Sequence, residues 1–261
     1  MGLTEGTVEA QTALLSVQQM AQFVIDGYLE FDDLIPDGLV EAVVSDLRET
    51  ADVSGLKNQF RWNQTENPHG FYEFSEAVRN VHMLPGVKTV LRSLLGPGYL
   101  FDHSAIHATA PRHHKAQNWH VDAGGRRQVK YPNANPYTFD VLTAFFPHDT
   151  PDDMGPTLIL PGSHIREVLG SDTARYKNIR GQKRLSGKAG RIIFFHEALW
   201  HCAQPNRTDA WRFMFKIRFC PRVPQQQQFD TEGWDSEEIR RFFRKNARTH
   251  SLTGEWSAVT Q

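Results

Sequence analysis

The segment Asn118-Trp119-His120-Val121-Asp122 holds the one His-x-Asp in the chain. On a β-strand successive side chains alternate between faces, so His120 and Asp122 would project from the same side. An imidazole and a carboxylate so placed are two ligands for a divalent ion, and a third must come from elsewhere. Two histidines and one carboxylate on one face of iron leave its other positions open for substrate and oxygen. The pair alone is weak, because with 12 histidines in the chain one His-x-Asp arises readily by chance. An ordinary solvated pair on a strand or loop is the commoner explanation of such a tripeptide.

A second stretch, Arg191 to Arg212, begins with the apolar run Ile192-Ile-Phe-Phe195 after Gly190, turns, and reaches His201. From Trp211 the pattern alternates: Phe213, Phe215, Ile217 and Phe219 on one side, Arg212, Met214, Lys216 and Arg218 on the other. Such a strand lines either solvent or a polar cavity. A lone histidine such as His201 is more often a satisfied structural residue than a ligand.

The elements that must carry these residues can be read from periodicity. Leu14, Leu15, Val17, Met20, Phe23 and Val24 predict a helix over 13–26 stopped by Gly27, followed by a short strand at 28–31. A second helix is predicted from Pro36 to about Thr50, and a third over 76–95, stopped by Gly96-Pro97-Gly98. Residues 51–75 read as loop. From Tyr99 the chain changes to short β-like runs at 99–109, 118–122, 138–147, 156–160, 191–196 and 211–220. This order argues for a mostly β sandwich or barrel with helices packed on one side. Asp235-x-x-Glu238 is a capping-box pattern opening a C-terminal helix.

Taken together, His120-x-Asp122, the distal His201 and Arg212 eleven residues later resemble the phytanoyl-CoA dioxygenase-like (PhyH) family of iron(II)- and 2-oxoglutarate-dependent oxygenases. Met154-Gly-Pro-Thr-Leu-Ile-Leu-Pro-Gly-Ser-His164 is similar to the family's Asn-Gly-Pro-Leu…Pro-Gly-Ser-His segment, with Met154 where Asn is usual. Pro205-Asn-Arg-Thr-Asp209 and the opening Phe23-x-x-x-Gly27-Tyr add to the likeness, which spans about residues 16–220. The resemblance implies a double-stranded β-helix (jelly-roll, cupin-like) core. It further implies Fe(II) on His120, Asp122 and His201, with 2-oxoglutarate and O2 as cosubstrates and ascorbate as an aid. Arg212 would grip the far carboxylate of 2-oxoglutarate as a planar fork with two parallel hydrogen bonds, which Lys could not imitate.

Other residues follow from the same comparison. His107, Thr143 and Thr157 are candidates for the cosubstrate pocket, although a strand threonine is also explained by β propensity. His103, Trp119, Arg126, Arg127 and Trp200 are candidates for the substrate pocket, against the plainer readings of core tryptophan and solvated arginine. The implied reaction is hydroxylation, or another oxidation, of an unactivated carbon of a small molecule, with release of succinate and CO2. A halogenase of the same fold would have a small residue in place of Asp122, and a metal-binding barrel without activity would most naturally have lost a ligand or the arginine. A zinc hydrolase is disfavoured, since the chain has no His-Glu-x-x-His and Arg212 would have no evident job.

Composition narrows the setting. A chain of 261 residues without a Pro- or Ser/Gly-rich linker is expected to form a single oxygenase domain. Its parts are a mainly helical 1–98, a β core over 99–220 and a helical extension over 221–261. Lys plus Arg at 29 against Asp plus Glu at 30 gives no electrostatic reason to expect nucleic acid or an acidic membrane. The start MGLTEGTVEAQ lacks the basic flank and apolar run of a signal peptide, and two cysteines make no disulfide scaffold. The expectation is a cytoplasmic monomer or homodimer acting on a small molecule.

Overall fold

The computed structural model describes residues 14–53, 75–122, 139–165, 173–221, 229–230, 235–238 and 241. Helix α1 (Val17–Asp26) opens on a capping box: the Ser16 hydroxyl accepts the Gln19 amide, and the Gln19 side chain accepts the Ser16 amide. Two donors otherwise orphaned at a helix start are thereby satisfied. Gly27 closes the helix at φ 81, a left-handed conformation that only glycine adopts without penalty. The His164 ring also fills the space where a Cβ would stand. Strand β1 (Tyr28–Phe31) and helix α2 (Asp37–Val53) follow, the helix running past the expected stop at Thr50.

The helix expected over 76–95 is two: α3 (Glu76–Met83) and α4 (Pro85–Leu95). Leu84 between them is extended, at φ −57 and ψ 137. Pro85 causes the break, since its ring disfavours helical backbone in the preceding residue while suiting the first helical turn.

The remaining strands are β2 (Leu100–Thr109), β3 (Val141–Phe145), β4 (Thr157–Ile159), β5 (Lys183–Arg184), β6 (Ile192–His196), β7 (His201–Ala203), β8 (Arg212–Cys220) and β9 (Phe229–Asp230). They form a six-stranded sheet, β1-β6-β3-β8-β2-β9, and a three-stranded sheet, β5-β4-β7, with every pairing antiparallel. The expected double-stranded β-helix is therefore present, with one difference of detail. β1, from the helical N-terminal part, is an edge strand of the large sheet and pairs with β6. The expected strand at 118–122 reduces to a single β-bridge between His120 and His201.

Period-two alternation divides the core. Val141 and Phe145 of β3, Phe194 of β6, and Phe215, Ile217 and Phe219 of β8 pack with Val43, Val78, Val87 and Leu91 of the helices. Leu142, Ala144, Ile193, Phe195 and Met214 face the other way and meet Ile159 of β4. Burial of each large side chain contributes roughly 1.5–3 kcal/mol, so reversing the register of β8 would cost most of this core. Arg212, Met214 and Lys216 accordingly point between the sheets. Cys202 and Cys220 are free thiols, and no helix among the described residues is long and apolar enough to cross a membrane.

Candidate metal centre

Two strands of backbone set the centre. The His120 amide donates to the His201 carbonyl and the His201 amide to the His120 carbonyl, both at 3.0 Å. Residues so bridged send their side chains to one face, and the two imidazole centroids lie 4.3 Å apart. Asp122, two residues on, is anchored by its amide to the Glu197 carbonyl at 3.0 Å. Its Oδ2 stands 3.4 Å from His201 Nε2, and its Oδ1 stands 3.9 Å from His120 Nε2. One ligand atom from each of the three residues falls within 4.8 Å of the others.

The protonation pattern suits metal binding. His120 Nδ1 lies 2.9 Å from the Asn118 carbonyl and His201 Nδ1 lies 2.8 Å from the Leu199 carbonyl. A carbonyl accepts only, so each Nδ1 carries a proton and each Nε2 is turned to the Asp122 side. Burial, with His201 close by, pushes the His120 imidazole down to about 4, which keeps it neutral near pH 7. Burial alone would push the Asp122 carboxyl up, but the Lys216 ammonium and His201 hold it well below the usual carboxylate range. A neutral His120 imidazole, the His201 imidazole and the Asp122 carboxylate are the donor types that would hold an iron(II) ion.

Arg212 is 1% exposed. Its Nε and Nη2 donate to the Gly155 carbonyl at 3.1 and 2.9 Å, while Nη1 is buried and meets no hydrogen-bonding partner among the described residues. Burial pushes the guanidinium down to about 10, so it stays charged. A buried cation with an unused donor calls for an anion. Gly155 is at φ 73, and a Cβ there would meet the Gln204 carbonyl at 2.7 Å, so the carbonyl that aims Arg212 depends on glycine. Arg212, Met214 and Lys216, on the alternating face of β8, are thus buried in the interior and do not face solvent.

His107 of β2 pairs in register with Met214, and directly opposed residues share a face. Its Nε2 is buried without a partner among the described residues, and burial, with Lys216 and Arg212 nearby, holds its imidazole well below the usual range. The Thr157 hydroxyl reaches the Met214 sulfur at 3.9 Å. Thr143 is placed elsewhere: it lies 3.2 Å from His82 Nε2 and donates to the Ile217 carbonyl, on the side of the sheet that faces the helices. Trp119 and Trp200 pack with Leu158 and Cys202, and the Trp119 indole donates to the Lys177 carbonyl, so neither is brought to the triad's face. His103 sits opposite Arg218 in register, and Arg126 and Arg127 fall outside the described residues.

Three contributors were not singled out from sequence. Lys216 reaches Asp122 Oδ2 from β8. Gln117 lies 3.3 Å from His120 Nε2 through its amide and accepts the Ala203 amide. Arg218 donates to Asp140 and Glu197, both buried, at 2.6 and 2.5 Å. The signal for the two β8 residues was the alternation itself, which put them on Arg212's face. The matched motifs act as braces: the Ser163 hydroxyl accepts the Trp200 amide, and the Asn206 amide group donates to the carbonyls of Thr109, Ala110 and Ala210.

Known proteins share this fold and part of this sequence. L-proline trans-4-hydroxylase of Streptomyces griseoviridis is 25% identical over an alignment covering 58% of this chain and 65% of its own, so the chain spans just under two thirds of that relative. The non-heme monooxygenase ThoJ superposes with a TM-score of 0.65 at 18% identity, covering 89% of this chain and 95% of its own. EctD from S. alaskensis, solved with 2-oxoglutarate and 5-hydroxyectoine, gives 0.61 at 19%, covering 81% and 78%. HygX from Streptomyces hygroscopicus, solved with nickel and 2-oxoglutarate, gives 0.61 at 17%, covering 80% and 88%. At these identities the structural likeness shows the fold. The sequence pattern described as Phytanoyl-CoA dioxygenase (PhyH) matches residues 23–214, a segment holding His120, Asp122, His201 and Arg212, and the chain therefore belongs to the phytanoyl-CoA dioxygenase (PhyH) family of iron- and 2-oxoglutarate-dependent oxygenases.

Proposed function

We propose that the chain is an Fe(II)- and 2-oxoglutarate-dependent dioxygenase that hydroxylates an unactivated carbon of a small, soluble substrate, with release of succinate and CO2. The observation that carries this reading is a convergence. The ligand atoms of His120, Asp122 and His201 cluster in the same interior onto which Arg212 turns a buried Nη1 that has no partner among the described residues. His120, Asp122 and His201 would hold the iron, which supplies oxygen activation coupled to decarboxylation of 2-oxoglutarate.

The chain's own residues position and exclude. Arg212, charged and fixed by Gly155, would receive the far carboxylate of 2-oxoglutarate on its Nη1 side. Neutral His107 has a buried Nε2 without a partner among the described residues, and Met214, its register partner, is also reached by the Thr157 hydroxyl. Leu142, Ile159, Phe195 and Met214 wall this interior with apolar groups, which excludes water from a reactive centre. Asp122 occupies the place that a halide would need in a halogenase of this fold, which favours hydroxylation.

A small soluble substrate is supported by the relatives, one named for L-proline and another solved with 5-hydroxyectoine. A chain with 29 basic and 30 acidic residues offers no field for nucleic acid or an acidic membrane, and we place it in the cytoplasm. The test is anaerobic addition of Fe(II) and 2-oxoglutarate. A visible charge-transfer band should appear, vanish in Asp122→Ala, and be followed in air by slow succinate release without substrate. Absence of both band and succinate from the wild-type protein overturns the reading, and a band with no succinate under any substrate marks a metal-binding barrel instead.

A further inference from the structure

Lys216 has no counterpart among the residues that the proposed reaction requires, yet it is 6% exposed and its Nζ reaches the Asp122 ligand. A lysine is rarely buried to this degree unless paired, because desolvating its ammonium is expensive. Room for it is built into the large sheet. In register, Lys216 of β8 sits between Ala105 of β2 and Ala144 of β3, which are 2% and 1% exposed. Directly opposed residues share a face, so the four-carbon stem lies over two methyl groups and its Nζ arrives at Asp122 Oδ2. The neighbouring buried acids are engaged by another cation, since Asp140 and Glu197 both accept from Arg218.

We propose that Lys216 is a built-in counter-cation for the Asp122 ligand: it holds the carboxylate in place before metal arrives and competes electrostatically with the metal for it. The inference rests on the reading of His120, Asp122 and His201 as a metal site. Without a cation, Asp122 would be a half-buried carboxylate beside two imidazoles, anchored only at its amide among the backbone contacts described. The ammonium fixes its rotamer and neutralises it, so the ligand face stands ready. The same charge opposes a divalent ion bound to that carboxylate, because two cations a few ångströms apart in a low-dielectric interior repel strongly. Lys216 is thus a positioning residue that exchanges metal affinity for an ordered apo site.

The test compares wild type with Lys216→Met, which keeps the stem and removes the charge. Lys216→Gln serves as a second variant that is neutral but can still hydrogen-bond. Mn(II) is titrated into apo protein and the free ion is read by electron paramagnetic resonance, with thermal melting measured before and after saturation. Both variants should bind Mn(II) at least tenfold more tightly than wild type. Their apo melting temperatures should fall below that of wild type, and saturating Mn(II) should erase most of the difference. Equal or weaker Mn(II) binding in the variants that fold overturns the proposal, as does a melting deficit that Mn(II) leaves unchanged, the mark of a purely structural lysine. Failure of wild type itself to bind Mn(II) would instead overturn the metal-site reading beneath it.

Discussion

His120 and His201 are joined backbone to backbone by two reciprocal 3.0 Å hydrogen bonds, although 80 residues of chain separate them. This bridge, not a continuous strand, places both imidazoles on one face. Each ring is then turned by its own carbonyl, Asn118 for His120 and Leu199 for His201, so that Nε2 is the atom on the Asp122 side.

From this arrangement, His201→Ala should weaken Mn(II) or Fe(II) binding by at least about 100-fold, since even an outer partner of a ligand is typically worth 10- to 100-fold. The backbone bridge does not need the side chain, so circular dichroism should stay native. Metal binding within threefold of wild type, read by isothermal titration, would remove His201 from the site.

Arg212→Lys should weaken 2-oxoglutarate by roughly 10- to 100-fold, the size of a lost charge-assisted hydrogen bond of about 1.5–3 kcal/mol. Metal affinity should change little, because Arg212 does not touch the triad. Titration of 2-oxoglutarate into the Mn(II)-loaded variant checks this, and an unchanged affinity would assign the guanidinium to another anion.

Gly155→Ala should act through Arg212 without touching it. The residue is at φ 73, and its new Cβ would fall 2.7 Å from the Gln204 carbonyl, so about 1–3 kcal/mol of stability should be lost. The displaced Gly155 carbonyl would also release Arg212 Nε and Nη2. Urea denaturation measures the first effect and 2-oxoglutarate affinity the second; loss of stability with full affinity would show that Arg212 does not depend on this carbonyl.

Stability of the apo protein should fall as pH drops below about 6.5. Burial pushes His82 down to about 4, so the folded state resists a proton that the unfolded state takes up near the ordinary histidine value. A depressed histidine is neutral and harmless above that value, and its penalty grows between 6.5 and 4 as the unfolded chain protonates. At pH 5 this amounts to about 2 kcal/mol for His82. His82→Gln, which can still face Thr143, should lose that part of the difference between pH 7.5 and pH 5.0 in urea titrations. An identical pH dependence in both proteins would place the effect on other groups.

Much of the site was legible in the sequence because its chemistry is carried by residue types at ordered spacings. His120-x-Asp122, His201 and Arg212 stood out by type and spacing, and in the structure the three ligand atoms converge and Arg212 is buried; the alternation of β8 likewise separates Phe215 from Arg212. Gly27 and the capping pattern at Asp235 and Glu238 marked helix ends through local backbone chemistry alone, and the latter is seen in the reciprocal bonds of those two residues. What the sequence left open depends on which faces meet. Thr143 and Ala144 are neighbours, yet the first faces His82 among the helices and the second faces the interior beneath Lys216. Trp119 and Trp200 adjoin proposed ligands and turn away from them for the same reason. Alternation can be counted along a chain, but the side that becomes interior is decided by long-range packing of helices on one sheet and the small sheet on its other face. Only that packing brought Lys216 against Asp122, 94 residues away in sequence.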